Sequence, residues 1–147
     1  MRKTWTLTLA ALGLAGCGGN ALIGSWDGNV NAPGAPSITV TLTLRADQTQ
    51  TATSEFGFGS TGVIYSGCIS TTTTSGTWSS TSTTLSLDAT AGTTTMSGCD
   101  NPADEGTRTL GATDLAASTQ TSSYEFVNPD LLRLTGSSGA VLDLRRR

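Results

Sequence analysis

The chain has 147 residues and a formal charge of −3, with charged residues making up only 13% of it. It holds no histidine, which removes histidine-based activation of a nucleophile and the commonest zinc ligand together. Lys3 is the only lysine and no basic cluster precedes Arg145-Arg146-Arg147, so nucleic acid, whose binding rests on neutralised phosphates, is not an expected partner.

The N-terminus opens with Arg2 and Lys3, the only basic residues before Arg45. Trp5 to Leu14 is a short apolar run, of signal-peptide length and too short to cross a bilayer as a helix. Leu14-Ala15-Gly16-Cys17 then resembles the bacterial lipobox, a leucine, two small residues and a cysteine. The resemblance implies that residues 1–16 are removed as a lipoprotein signal peptide and that Cys17 carries lipid. Several acyl chains bury enough methylene groups to hold a protein at a membrane, where one chain would be marginal. The other reading is an ordinary cleavable signal with a chance cysteine. Gly18 follows Cys17, where an aspartate would resemble the inner-membrane retention signal of Gram-negative lipoproteins. In a Gram-negative source this favours the outer membrane, on its periplasmic face or at the cell surface.

Residues 17–23 are expected to form a short lipidated tether and residues 24–147 one domain with one core. Serine, threonine and 18 glycines dominate the composition, whereas Pro numbers only 4. Such a composition suits either a disordered stalk or the wet face of an antiparallel sheet. Threonines alternating with aliphatic residues decide for the sheet.

Leu22 to Val30 reads as the first strand, with Trp26 as a buried anchor. Asn31 to Pro36 is a breaker loop. Ile38, Val40, Leu42 and Leu44 alternate with Thr39, Thr41 and Thr43, a period of two that marks a strand with one face in a core. Ala46-Asp47-Gln48 turns it back onto Thr49 to Phe58. Val63 to Ile69 reads as a strand, Ser75 to Trp78 leads into another, and Ser79 to Ser82 turns. Thr83 to Ala89 alternates again, Ala91-Gly92 is read as a turn, and Thr93 to Cys99 as the returning strand. Asp100 to Gly106 is a polar loop. Residues 107–118 read as a strand followed by a loop or a helical turn. Ser122 to Val127, Leu131 to Thr135 and Ala140 to Arg145 close the chain as strands around turns at 128–130 and 137–139.

About eight to ten strands with no helical crossover predict an all-β fold. It is expected to be a small antiparallel up-and-down β-barrel or a curled sheet that hides its edges. Gly24-Ser25-Trp26, then Gly76-Thr77-Trp78 followed by Leu85 and Leu87, then Tyr124 to Leu134 (YEFVNPDLLRL) resemble the lipocalin-like lipoproteins of bacteria. The resemblance implies a calycin-type barrel with Trp26 and Trp78 as core anchors. It also implies an arginine from a late strand across Trp26, here Arg133 or Arg145. The usual C-terminal helix of that family is missing from the pattern.

Cys68 and Cys99 are the remaining cysteines, and an even pair in an oxidising compartment predicts a disulfide. Asp100, Asn101, Asp104 and Glu105 crowd one loop, but without the alternating acids of an EF-hand, so a solvated loop is expected and no metal. The aromatics Trp26, Trp78, Tyr65, Tyr124, Phe56, Phe58 and Phe126 could line a pocket. At only 5% of the chain they are needed first as core. Glu55 and Asp88 are an example of carboxylates available for glycoside chemistry, with nothing around them to support it. No catalytic residue and no cofactor are therefore expected. The expected role is a non-enzymatic, lipid-anchored envelope protein whose barrel binds a small apolar ligand or a protein partner. The alternative is an inhibitor that plugs an enzyme cleft with the disulfide-tied loop at 100–106.

Overall fold

The computed structural model describes residues 21–30, 36–59 and 65–147. The signal segment, Cys17, and Val63 and Ile64 of an expected strand lie outside them.

Nine strands are present among the described residues: β1 Gly24–Val30, β2 Ile38–Leu44, β3 Thr49–Gly57, β4 Ile69–Ser80, β5 Thr84–Ser97, β6 Gly106–Thr109, β7 Gln120–Asn128, β8 Leu131–Thr135 and β9 Val141–Arg146. A 3-10 turn at Pro102–Asp104 and the helix α1 at Ala112–Ser118 are also present, and Ala21 and Leu22 are helical. Every pairing is antiparallel, each barrel strand neighbours the next, and β9 closes back on β1. The result is an eight-stranded up-and-down barrel, β1-β2-β3-β4-β5-β7-β8-β9, as the alternation predicts. Strand β6 is the ninth: the start of β5 pairs with β7, and its far half, Thr93 to Met96, pairs with β6.

Register decides which side chains face inward. Ile38, Val40, Leu42 and Leu44 lie opposite Phe56, Ser54, Ala52 and Gln50 and share the inner face with them. The intervening threonines face out and bond across strands, as in Thr53–Thr73 at 3.3 Å, Thr95–Thr107 at 2.9 Å and Ser25–Thr43 at 3.0 Å. This explains the composition: β-branched hydroxyl residues suit a pleated wet surface and link neighbouring strands.

One end of the barrel is filled. Trp26, Leu22, Leu44, Leu85, Leu132 and Leu144 are fully or almost fully buried there, with Trp78 beside them. The indole N–H of Trp26 donates to the Leu22 carbonyl at 2.9 Å, and that of Trp78 to the Arg45 carbonyl at 2.9 Å. Leu22 and Ile23 thus belong to the packed body, so the expected tether ends before them.

Two expected breaks are absent. Ala91-Gly92 is no turn: β5 runs through it, accommodated by a bulge opposite Ser75 and Gly76. The bulge needs Gly76, because a Cβ there would collide with the carbonyl oxygen of Asp88. Tyr65 to Gly67, expected in a strand, form a turn with Tyr65 at φ 69° and Gly67 at φ 72°. Cys68 and Cys99 are joined by the expected disulfide, 31 residues apart in sequence. The bridge ties the segment entering β4 to the segment leaving β5.

Candidate functional site

The inner face changes character along the barrel axis. Toward the end opposite Trp26, the inward positions of β3 and β4 hold Ala52, Ser54, Thr72 and Thr74. These small residues cannot reach across the lumen, and a cavity of about 420 Å³ remains. One wall is aliphatic: Val30, Ile38, Val40, Leu134, Leu142 and Leu144 from β1, β2, β8 and β9. The facing wall carries the hydroxyls of Ser54, Thr72 and Thr74. Leu42, Ala52 and Leu87 also line it, while Gln120 and the α1 residues Ala117 and Ser118 border it from the segment between β6 and β7. Among the described residues, no charged side chain lines this space.

Helix α1 is set at the rim by a few polar contacts. Arg108 pairs with Asp114 at 3.0 Å, and Asp114 accepts the Gly111 N–H at 3.2 Å. The hydrogen bond from Arg108, then that from the Gly111 backbone, hold the Asp114 carboxyl below its ordinary pKa. At the other end of the helix, Thr119 donates to Asp88 at 3.2 Å.

Gln50 is the next inward residue of β3 toward the filled end. It is 2% exposed, and its Oε1 accepts no hydrogen bond from any described residue. It is the single buried side-chain oxygen or nitrogen of this kind among the described residues.

A second concavity, of about 440 Å³, lies on the inner face of the β5–β6 extension. Phe58, Tyr65, Met96 and Arg108 line it together with Asp104 and Glu105. The Phe56 and Phe58 rings are 4.8 Å apart and those of Phe58 and Tyr65 5.8 Å apart. These aromatics form a cluster of their own, with Tyr65 42% exposed, whereas Trp26, Trp78, Tyr124 and Phe126 pack in the barrel core.

The arginine across Trp26 is neither Arg133 nor Arg145. It is Arg146, whose guanidinium carbon lies 4.2 Å from the ring centroid. Leu142 and Leu144 of β9 face inward, so Arg146 does too and Arg145 points out. Arg133 is also on the outer face, in a bidentate pair with Asp143 at 2.7 and 2.9 Å, and 3.7 Å from Glu125. That pair keeps the Asp143 carboxyl below its ordinary pKa and raises that of Arg133.

The acidic loop turns its oxygens to separate partners. Asp100 accepts from Ser66 at 2.7 Å, Glu105 from the Cys99 N–H at 3.2 Å, and Asn101 from the Ala103 N–H at 3.1 Å. No group of three or more metal-binding side chains converges among the described residues. Glu55 and Asp88 are not brought together. Their partner positions on β4, Thr71 and Thr77, are six residues apart. That is about 20 Å along a strand, whereas paired glycosidase carboxylates stand about 5–9.5 Å apart.

Sequence reasoning missed the lumen wall. Its signal is the run Ile69 to Trp78 (ISTTTTSGTW), which has hydroxyl residues on both faces and so lacks the alternation that marks a packed strand. No protein-family model matches the chain, and no curated protein matches it.

Proposed function

We propose that this is a lipid-anchored envelope protein, exported through residues 1–16 and acylated at Cys17, that binds one small, mainly apolar and uncharged molecule in its barrel lumen. The single observation that carries the reading is the 420 Å³ space between an aliphatic and a hydroxyl wall. Ligand sites are typically concave, apolar and furnished with a few polar groups. The volume lies within the range of about 300–1,000 Å³ in which drug-sized ligands are held. An ionised ligand is disfavoured, because no lining side chain among the described residues could pair with it and burial of an unpaired charge is costly.

The loop-plug inhibitor gains less support. Asp104 and Glu105 line a concavity instead of standing clear of it.

The test is a fluorescence titration of the purified full-length chain with N-phenyl-1-naphthylamine, a neutral apolar reporter. Saturable enhancement at one molecule per chain is expected, abolished in Val40→Trp, which fills the lumen, and retained in Thr39→Trp, which adds the same ring outside. Equal enhancement in both variants, or none in the unaltered protein, refutes the reading.

A further inference from the structure

The two ends of the barrel differ in packing and in charge, and β1 starts at only one of them. Ala21 and Leu22 dock at the filled end: Leu22 is fully buried, and Arg146 donates to the carbonyls of Ala21 at 2.7 Å and Ile23 at 3.0 Å. Cys17 stands four residues before Ala21. A fully extended chain of four residues reaches about 14 Å at most. That is shorter than the barrel wall, where seven residues of β1 cover about 23 Å along a strand tilted by about 40°, or about 18 Å along the barrel axis. A lipid on Cys17 therefore cannot pass along the wall to the mouth.

From this we propose that the filled end of the barrel rests on the headgroups of the membrane that holds the acyl chains, with the lumen mouth and the Phe58–Tyr65 cluster facing away from it. The orientation rests on the acylation of Cys17 given above.

Charge supports the same orientation. Arg145 and Arg147 are exposed at the filled end, and Arg45 stands in the β2–β3 turn of that end. Asp47 and Asp130 oppose them there, and Asp27 pairs with Arg147 at 2.6 Å. The far end carries Asp100, Asp104 and Glu105 between β5 and β6. Anionic headgroups attract basic residues placed within a Debye length and repel acidic ones, so the filled end is the one favoured at the surface. A consequence follows for exchange. The ligand enters from the aqueous side, or from a partner across it, and not by lateral escape from the anchoring bilayer.

The test uses the acylated mature protein, residues 17–147, in vesicles of phosphatidylethanolamine and phosphatidylglycerol that contain a rhodamine lipid. A donor dye is attached through Ser82→Cys, in the β4–β5 turn at the filled end, or through Ser138→Cys, in the β8–β9 turn at the mouth. Both are exposed turn positions, so the fold should tolerate them. Energy transfer at least about twofold more efficient from position 82 than from 138 is expected, given ends about 20 Å apart. Equal or reversed efficiencies, with acyl mass present on Cys17, overturn the orientation and leave the anchor standing. Absence of acyl mass on Cys17 overturns both.

Discussion

Arg146 covers the face of Trp26 at 4.2 Å and at the same time hydrogen-bonds the carbonyls of Ala21 and Ile23, so the last strand clamps the first. The two residues are direct partners in the β1–β9 register that closes the barrel. The contact combines a cation–π term of about 0.5–2 kcal/mol with charge-assisted bonds to carbonyls that would otherwise lose their partners. Arg146→Ala should therefore cost about 2–4 kcal/mol, and Arg146→Lys less, since an ammonium keeps the charge but not the fork. Urea denaturation followed by tryptophan fluorescence checks this. Arg145→Ala, on the outer face, should change stability by less than about 0.5 kcal/mol.

The disulfide closes a loop of 31 residues around β4 and β5. In the chain-entropy description such a loop contributes about 3–4 kcal/mol by restricting the unfolded chain. Replacing both Cys68 and Cys99 by Ser should lower the stability by about that amount and leave the barrel pairing intact. Denaturant midpoints and amide exchange in β1, β2, β8 and β9 test the two halves of the statement.

Acid should weaken the fold through three carboxylates. Asp47 is held below its ordinary 3.8 by hydrogen bonds from Thr49, Asp114 by those from Arg108 and the Gly111 N–H, and Asp143 by that from Arg133. Each folded-state pKa lies below the unfolded value. The stability they contribute is therefore fully present above the unfolded value and is lost as pH falls from about 5 through and below 3.8. Chemical denaturation between pH 7 and pH 2.5 should show that decline, and Asp114→Asn should remove part of the slope. All three groups are exposed, so added salt should shrink the effect.

Gln50 places an oxygen that has no partner among the described residues in the filled part of the barrel. Burying a polar atom without a hydrogen bond costs about 1–3 kcal/mol, and leucine is close in volume. Gln50→Leu should thus raise stability by roughly 1–2 kcal/mol, read as a higher urea midpoint at unchanged slope. A lower midpoint would mean that the amide is engaged in the folded protein.

How much of this was legible depends on whether a strand has one dry face. In β2 the inner positions are aliphatic and the outer ones threonine, and in β9 Leu142 and Leu144 face in while Asp143 and Arg145 face out, so the period of two is visible and the register follows. The same rule, carried one step past Leu142 and Leu144, reaches Arg146 and passes over Arg133 and Arg145, which lie on the outer face. In β4 the inner face lines a lumen, so Thr72 and Thr74 are no more apolar than the outward Thr71 and Thr73, and periodicity is silent. Ala91-Gly92 resembled a turn because Gly and Ala are small; here Gly92 makes room for Leu110, whose Cδ1 would be 2.8 Å from an added Cβ. The lumen was invisible for a related reason. A void arises from what Ala52, Ser54, Thr72 and Thr74 fail to fill, and that requires knowing which strands face each other.

The most direct measurement of the central claim is a set of intermolecular nuclear Overhauser effects between bound N-phenyl-1-naphthylamine and the methyl groups of the full-length protein. The account predicts contacts from the probe to Val40, Leu87, Leu134 and Leu142 on the lumen walls. Contacts confined to the exposed methyls of Val127 and Val141, or none at all, would contradict it.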